Sequence, residues 1–203
     1  MGKANWLSVG GVAKDEVLSR LYFAERRNGG TSWENLMQGE MVVFELPGPR
    51  VVLFAGPVEF SEEMAAAASK GGDAILGWMT EVVTASFVAR YIDGVKVWSV
   101  ESAVDREPEV VTEGELPPSF AGYLRVAEAE DNTFEVPYQL SGEFGNFRPD
   151  IDLFEPIGEM RLIERTDDFD YLLKQETKRA AKEARRSVQA ERGGLLARLF
   201  GRK

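Results

Sequence analysis

Two residue types are missing from this chain of 203 residues, which contains no cysteine and no histidine. Without cysteine there are no disulfides, no thiolate zinc site and no cysteine nucleophile. Without histidine the chain lacks the commonest general base and transition-metal ligand, and every Ser-His or Cys-His arrangement is excluded. These absences favour a binding protein over an enzyme. We predict no catalytic residue, no metal ligand and no cofactor.

Long apolar segments are missing as well. No apolar run approaches the length of about 20 residues that a membrane-spanning helix needs. The segment from Met1 to Trp6 has none of the pattern of a signal peptide. We therefore expect a cytoplasmic protein.

Charge is distributed unevenly along the chain. The formal net charge is −10, but residues 173–203 carry ten basic and three acidic residues, so their net charge is +7 and that of residues 1–172 is −17. An acidic body repels nucleic acid and favours cationic partners. We predict two parts: an acidic domain over residues 1–166, and a basic helix with a short amphipathic terminus over residues 167–203.

The clearest local pattern is the dipeptide Asp93-Gly94 between two runs rich in β-branched and aromatic residues. Asp-Gly suits a type I′ turn, which needs a positive φ at both central residues, so a β-hairpin is predicted. In the simplest register Ala89 faces Trp98, and Trp98 is expected to be a core residue rather than a ligand platform. One face of the hairpin should then carry Phe87, Ala89, Trp98 and Val100.

The order of the predicted elements favours the α+β class. A first strand and a helix precede two strands joined by Pro47-Gly48-Pro49, a second helix capped by Ser61, and the hairpin. This order fits a mainly antiparallel sheet with helices packed on one face, as in a ferredoxin-like or related sandwich. Helices near residues 119–130 and 137–147 and a last edge strand within residues 154–164 follow.

The basic tail is the sharpest functional feature. After its first turns the predicted helix is almost wholly polar, and a short apolar and basic segment ends the chain. Such a segment suits an anionic lipid surface, although its shortness also fits a solvated extension. The cations of the tail also suit RNA or DNA, although the tail has no interleaved aromatic residues for stacking on single strands. The candidate contacts for a partner or a membrane are Lys178, Arg179, Lys182, Arg185, Arg186, Leu195, Leu196, Arg198, Leu199 and Phe200.

Two weaker patterns leave other sites open. Asp150 and Asp152 form a D-x-D pair that can hold a divalent cation through oxygen, but no further ligands cluster at a recognised spacing. The polar loop of residues 25–39 would line the site of an enzyme that works without histidine or cysteine, near Trp33 and Glu34.

Two segments carry a resemblance: ANWLSVG at residues 4–10 and GVKVWSV at residues 94–100. On these motifs the chain resembles a loosely defined group of uncharacterised bacterial proteins that begin ANWL-x-V-x-G and carry a G-x-x-V-W-S-V hairpin. The resemblance implies no established activity and no catalytic positions. In size, acidity and α+β layout the chain is also similar to many small acidic immunity proteins.

The leading hypothesis is a non-enzymatic cytoplasmic protein-binding domain of the immunity type, whose acidic face binds a protein partner with a basic surface. One alternative is a membrane-surface or assembly adaptor, anchored by its basic tail at the inner face of the membrane. Another is an enzyme without histidine or cysteine chemistry. Nucleic acid is not an expected partner of the acidic body.

Overall fold

The computed structural model describes residues 3–26, 39–56, 60–80, 82–149 and 159–166. In chain order the elements are β1 (Lys3–Gly10), α1 (Lys14–Arg20), β2 (Phe23–Glu25), β3 (Met41–Leu46), β4 (Arg50–Ala55), α2 (Glu62–Ala68), β5 (Asp73–Thr80), β6 (Ala85–Ile92), β7 (Val95–Ala103), β8 (Val110–Gly114), α3 (Phe120–Ala129), α4 (Glu135–Gly145) and β9 (Arg161–Arg165). The fold is therefore α+β, as predicted.

The described strands form one sheet of nine in the order β2-β9-β3-β4-β1-β5-β6-β7-β8. The seven pairings from β9 to β8 are antiparallel. From β1 to β5 the chain follows a β-α-β-β-α-β order once the three-residue β2 is set aside. β9 lies between β2 and β3, so the prediction of a last edge strand is wrong, because the short β2 covers its outer side.

The four helices of the described residues lie on both faces of the sheet. α1 and α2 pack through Val17 and Met64 against the face that carries Leu7. α4 packs on the opposite face, where Tyr138 joins Trp6, and α3 adds Ala127 to the same side. The prediction of helices on one face is therefore wrong. Buried strands carry apolar side chains at both odd and even positions, and each face needs cover.

The predicted hairpin forms with the predicted pairs Ile92–Val95 and Tyr91–Lys96 beside the turn, and its register departs from the prediction from Arg90 onward. Asp93 has a φ of 49° and Gly94 a φ of 84°, which confirms the predicted turn. A bulge follows, because Tyr91 faces Lys96 while Arg90 faces Trp98, so that one extra residue is inserted in β7. The predicted face is therefore wrong: Trp98 and Val100 join the α4 side of the core, whereas Phe87 and Ala89 lie on the α2 side. Trp98 is only 2% exposed, a core residue as predicted.

Two buried hydrogen bonds fix the carboxyl end of α4 on β1. Trp6 Nε1 donates to Ser141 Oγ at 2.8 Å, and Ser8 Oγ donates to the carbonyl oxygen of Gly145 at 2.5 Å. Ser141 Oγ in turn donates to the Phe147 carbonyl at 2.9 Å. These bonds satisfy buried polar groups that would be costly to leave unpaired.

The packing of β1 on β5 predicts the effect of a single methyl group. A Cβ added at Gly77 would lie 2.3 Å from Cε2 of Trp6, whereas a Cβ at Gly122 of α3 would meet nothing within 4 Å. We expect Gly77→Ala to lower the free energy of unfolding by about 3 kcal/mol through over-packing. Gly122→Ala should raise it by about 0.5–1 kcal/mol, because alanine favours a helix. Denaturant unfolding followed by circular dichroism measures both, and similar changes of one sign would contradict this packing.

Candidate functional site

A cavity of about 550 Å³ opens on the α2 side of the sheet. Four of its lining residues form one row across four neighbouring strands, since Asn5 faces Trp78, Trp78 faces Phe87, and Phe87 faces Glu101. Glu62, in the first turn of α2, closes a second side. Antiparallel pairing of β1, β5, β6 and β7 thus brings residues from distant parts of the sequence to one site.

The floor of the cavity is aromatic. The rings of Trp78 and Phe87 stack with centroids 5.8 Å apart and planes 14° from parallel. Both side chains are only partly buried, whereas Leu76 and Phe60 beside them are 3% and 4% exposed. Partly exposed aromatic rings in a concavity offer π faces to a ligand.

Two carboxylates stand in the cavity wall, and each already contacts a cation. Glu101 Oε1 lies 3.1 Å from Nη2 of Arg106, and this hydrogen bond raises the pKa of Arg106. Glu62 Oε2 accepts a hydrogen bond from the Tyr91 hydroxyl at 2.8 Å and lies 3.2 Å from Nζ of Lys96. Lys3 is the basic side chain among the described lining residues.

Lys96 links the cavity to the outer strand of the sheet. Its Nζ lies 2.5 Å from Oε2 of Glu113 on β8, as well as close to Glu62 on α2. The hydrogen bond to Glu113 raises the pKa of Lys96, and the same contact lowers the pKa of Glu113. Burial, followed by the hydrogen bond to Glu62, raises the pKa of Tyr91. At neutral pH the group therefore contains a neutral phenol, one ammonium and two carboxylates, and its net charge is negative.

The residues around β8 form a strongly acidic region. Residues 101–135 contain ten acidic and two basic residues, a net charge of −8. Eight of the ten acidic side chains are exposed, and the other two, Glu101 and Glu135, are partly buried. Charged side chains also protect an edge strand such as β8 from pairing with another sheet. The acidic residues continue into α3 and the residues that flank it, where there is no strand edge to protect.

Exposed valines lie within this acidic region. Val104 is 51% exposed, and its N–H donates to the carbonyl of Thr84 at 3.3 Å, which places the turn carrying Val82 and Val83 alongside it. Val82 is 80% exposed and Val83 55%. We define the acidic β8 surface as residues 101–115 together with Val82 and Val83. It is continuous with the cavity, because Glu101 belongs to both.

The predicted site residues lie elsewhere in the chain. The ten candidate contacts of the tail, the Asp150 and Asp152 pair, and Trp33 and Glu34 all fall outside the described residues. Within the described ranges, no group of three or more acidic side chains is placed to hold a metal ion. In that same part of the chain no helix is both long enough and apolar enough to cross a membrane.

The sequence alone does not reveal the cavity, because the residues that line it are far apart along the chain. Asn5 and Glu101 are 96 positions apart, and they converge only through the pairing of two intervening strands. The available signal was the aromatic pair Trp78 and Phe87, spaced around the turn that joins β5 to β6. Its use required the register of that turn, which the sequence alone did not supply.

Comparison of the chain with protein-family models, with curated proteins and with solved structures found no match. The resemblance to bacterial proteins that begin ANWL-x-V-x-G stays a prediction.

Tyr91→Phe tests the network beside the cavity. At neutral pH the lost hydrogen bond to Glu62 should lower the free energy of unfolding by about 0.5–1.5 kcal/mol. The pKa of Tyr91 is raised above its ordinary value of 10.0, so the neutral phenol stabilises the folded protein fully below pH 10. This stabilisation is lost as the pH rises through the pKa that Tyr91 has in the folded protein. Above pH 10 the native protein should therefore lose stability more steeply than Tyr91→Phe. Denaturant unfolding between pH 7 and 11 measures this, and parallel curves would refute it.

Proposed function

We propose that this protein is a non-enzymatic protein-binding domain of the immunity type, and that its acidic β8 surface binds a partner with a basic surface. The observation that carries the proposal is the occurrence of exposed valines among carboxylates at one end of the sheet. Scattered exposed valines are ordinary in a folded protein. Here the backbone hydrogen bond from Val104 to Thr84 brings Val104 beside the turn of Val82 and Val83, and the exposed acidic residues Asp105 and Glu107 follow Val104 in the chain.

This combination suits association with a protein. Apolar side chains at the centre of an interface supply favourable burial, and a polar rim supplies specificity. Carboxylates around the rim attract a cationic partner and raise its association rate at low salt. The same charge disfavours nucleic acid, whose phosphates would be repelled.

The fold proposal accompanies the functional one. We infer that the segment from β1 to β5 is a ferredoxin-like core, because its four long strands lie in the order β3-β4-β1-β5 and both of its helices contact the same cluster of core residues. The meander β6-β7-β8 then extends that core and carries the proposed binding surface. We place the protein in the cytoplasm, as expected from its sequence.

Paired charge removals test the binding surface. Glu107→Gln with Glu115→Gln removes two exposed charges from the acidic β8 surface, and Asp15→Asn with Glu45→Gln removes two from elsewhere. The native protein is used to capture a basic partner from an extract of the cells that produce it. We expect the first pair to slow association with that partner roughly 10-fold, and the second pair to leave it within about 2-fold.

The comparison is made by surface plasmon resonance at low and high salt. Because screening weakens exposed charges, the difference between the two variants should shrink at high salt. Equal effects of both pairs would contradict a partner site on the acidic β8 surface, and so would capture of no protein by the native chain.

A second proposal concerns the tail, and it is supported by the net charge of +7 over residues 173–203. We propose that Lys178, Arg179, Lys182, Arg185 and Arg186 attract anionic lipid headgroups, with Leu195, Leu196, Leu199 and Phe200 entering the interface beside Arg198. Each cation near the surface contributes about 1 kcal/mol to such binding.

Co-sedimentation with liposomes tests the tail. Full-length protein should sediment with vesicles containing anionic phosphatidylserine and stay in solution with neutral phosphatidylcholine vesicles. A truncation to residues 1–172 should stay in solution with both. If the full-length protein does not sediment with anionic vesicles, the tail is not an anchor.

A further inference from the structure

The cavity beside the acidic β8 surface has the chemistry of a cation pocket. We propose that the cavity floored by Trp78 and Phe87 receives the guanidinium group of an arginine side chain from the basic partner. This inference rests on the proposed function, because the partner supplies the arginine. It adds a specific pocket and a specific side chain to what is otherwise a broad acidic surface.

The aromatic floor selects a flat cation. Trp78 and Phe87 lie in neighbouring strands and their rings stack on each other, so the outer face of this stacked pair is the π surface that the concavity offers to a ligand. A guanidinium group is planar and weakly hydrated, and it stacks on such a surface, whereas an ammonium group is compact and strongly hydrated. The floor therefore favours arginine over lysine.

The wall of the cavity supplies two carboxylates, Glu62 and Glu101, and Lys3 is the basic side chain among the described lining residues. Each carboxylate already lies beside a cation, Lys96 for Glu62 and Arg106 for Glu101, so an incoming guanidinium would compete with these contacts. Arg106 shows that Glu101 is placed to bind a guanidinium, since its Nη2 lies 3.1 Å from Oε1 of Glu101. Arg106 is exposed, so an incoming arginine can share or take over this contact without unfolding the strand.

The volume of the cavity is large enough to admit a whole side chain. About 550 Å³ lies within the range of about 300–1,000 Å³ for ligand pockets. Buried Leu76 and Phe60 offer apolar contacts to the methylene groups of an arginine whose head lies near Glu101. The cavity adjoins the acidic β8 surface, because Val111, which is 40% exposed, faces Glu101 across β7 and β8.

Titration with a minimal probe tests the pocket directly. N-acetyl-arginine amide is added to ¹⁵N-labelled full-length protein, and the indole N–H signal of Trp78 and the amide signal of Glu101 are followed. N-acetyl-citrulline amide has nearly the same shape without the charge, and N-acetyl-lysine amide has the charge without the plane. We expect the arginine probe to shift both signals and to bind about 10-fold more tightly than either comparison probe.

Variants assign the binding to the cavity. Glu101→Gln keeps the size of the side chain and should weaken the arginine probe about 10-fold, and Trp78→Leu should weaken it at least as much. Asp15→Asn with Glu45→Gln should leave its affinity within about 2-fold. Circular dichroism confirms that each variant is folded. If Trp78→Leu does not fold, Glu101→Gln decides the outcome alone.

The results separate the pocket from the broader surface. Equal binding of the citrulline probe, an affinity for the arginine probe that is unchanged in Glu101→Gln, or no shift at saturating probe would overturn the arginine pocket. This holds even where Glu107→Gln with Glu115→Gln still slows association with the partner. Conversely, selective arginine binding that is weakened about 10-fold in Glu101→Gln supports the pocket, even if the pair Glu107→Gln with Glu115→Gln leaves partner binding unchanged.

Discussion

The packing of Trp6 between the sheet and α4 is the constraint on which the rest of the structure depends. Its indole lies against Gly77 of β5, stacks on Tyr138 with centroids 6.0 Å apart, and donates a hydrogen bond to Ser141. Trp6 and Ser141 are 135 positions apart in the chain. One fully buried side chain thus joins the central strand to the last described helix, and only glycine at position 77 leaves room for it.

The position of α4 decides which face of the sheet remains accessible. With α4 held on one side, Trp98 and Val100 of β7 turn toward it and leave Phe87 and Glu101 on the other side. Within the part of the chain that the structure describes, α1 and α2 pack on that other side in one cluster with Leu7 and Leu76. The row through Asn5 and Trp78 lines the cavity, and Glu62 of α2 stands beside it.

Local chemistry was readable from the sequence. The Asp93-Gly94 turn, the turn at Gly48 and the cap by Ser61, whose Oγ accepts from the Met64 N–H at 3.3 Å, each depend on a few adjacent residues. The bulge in β7 was not readable, because it accompanies packing of Trp98 against Phe144 on α4, which is distant in the chain. The cavity was out of reach for the same reason, since four strands must pair before its residues meet. What is proposed for the tail rests on its sequence, because residues 167–203 lie outside the described part of the chain.

The bulge in β7 also affects how related sequences should be compared. Val97 is the residue that β7 carries in excess of β6, since Lys96 and Trp98 already face consecutive residues of that strand. A relative with one residue fewer between the turn and the tryptophan would keep the tryptophan on the α4 side and lose only the irregularity. A gap at a later position of β7 would move the residues that follow it to the opposite face of the sheet. The number of residues between Gly94 and Trp98 can therefore differ by one without changing the face that carries the tryptophan. A sequence motif that fixes this spacing would miss chains with the same fold.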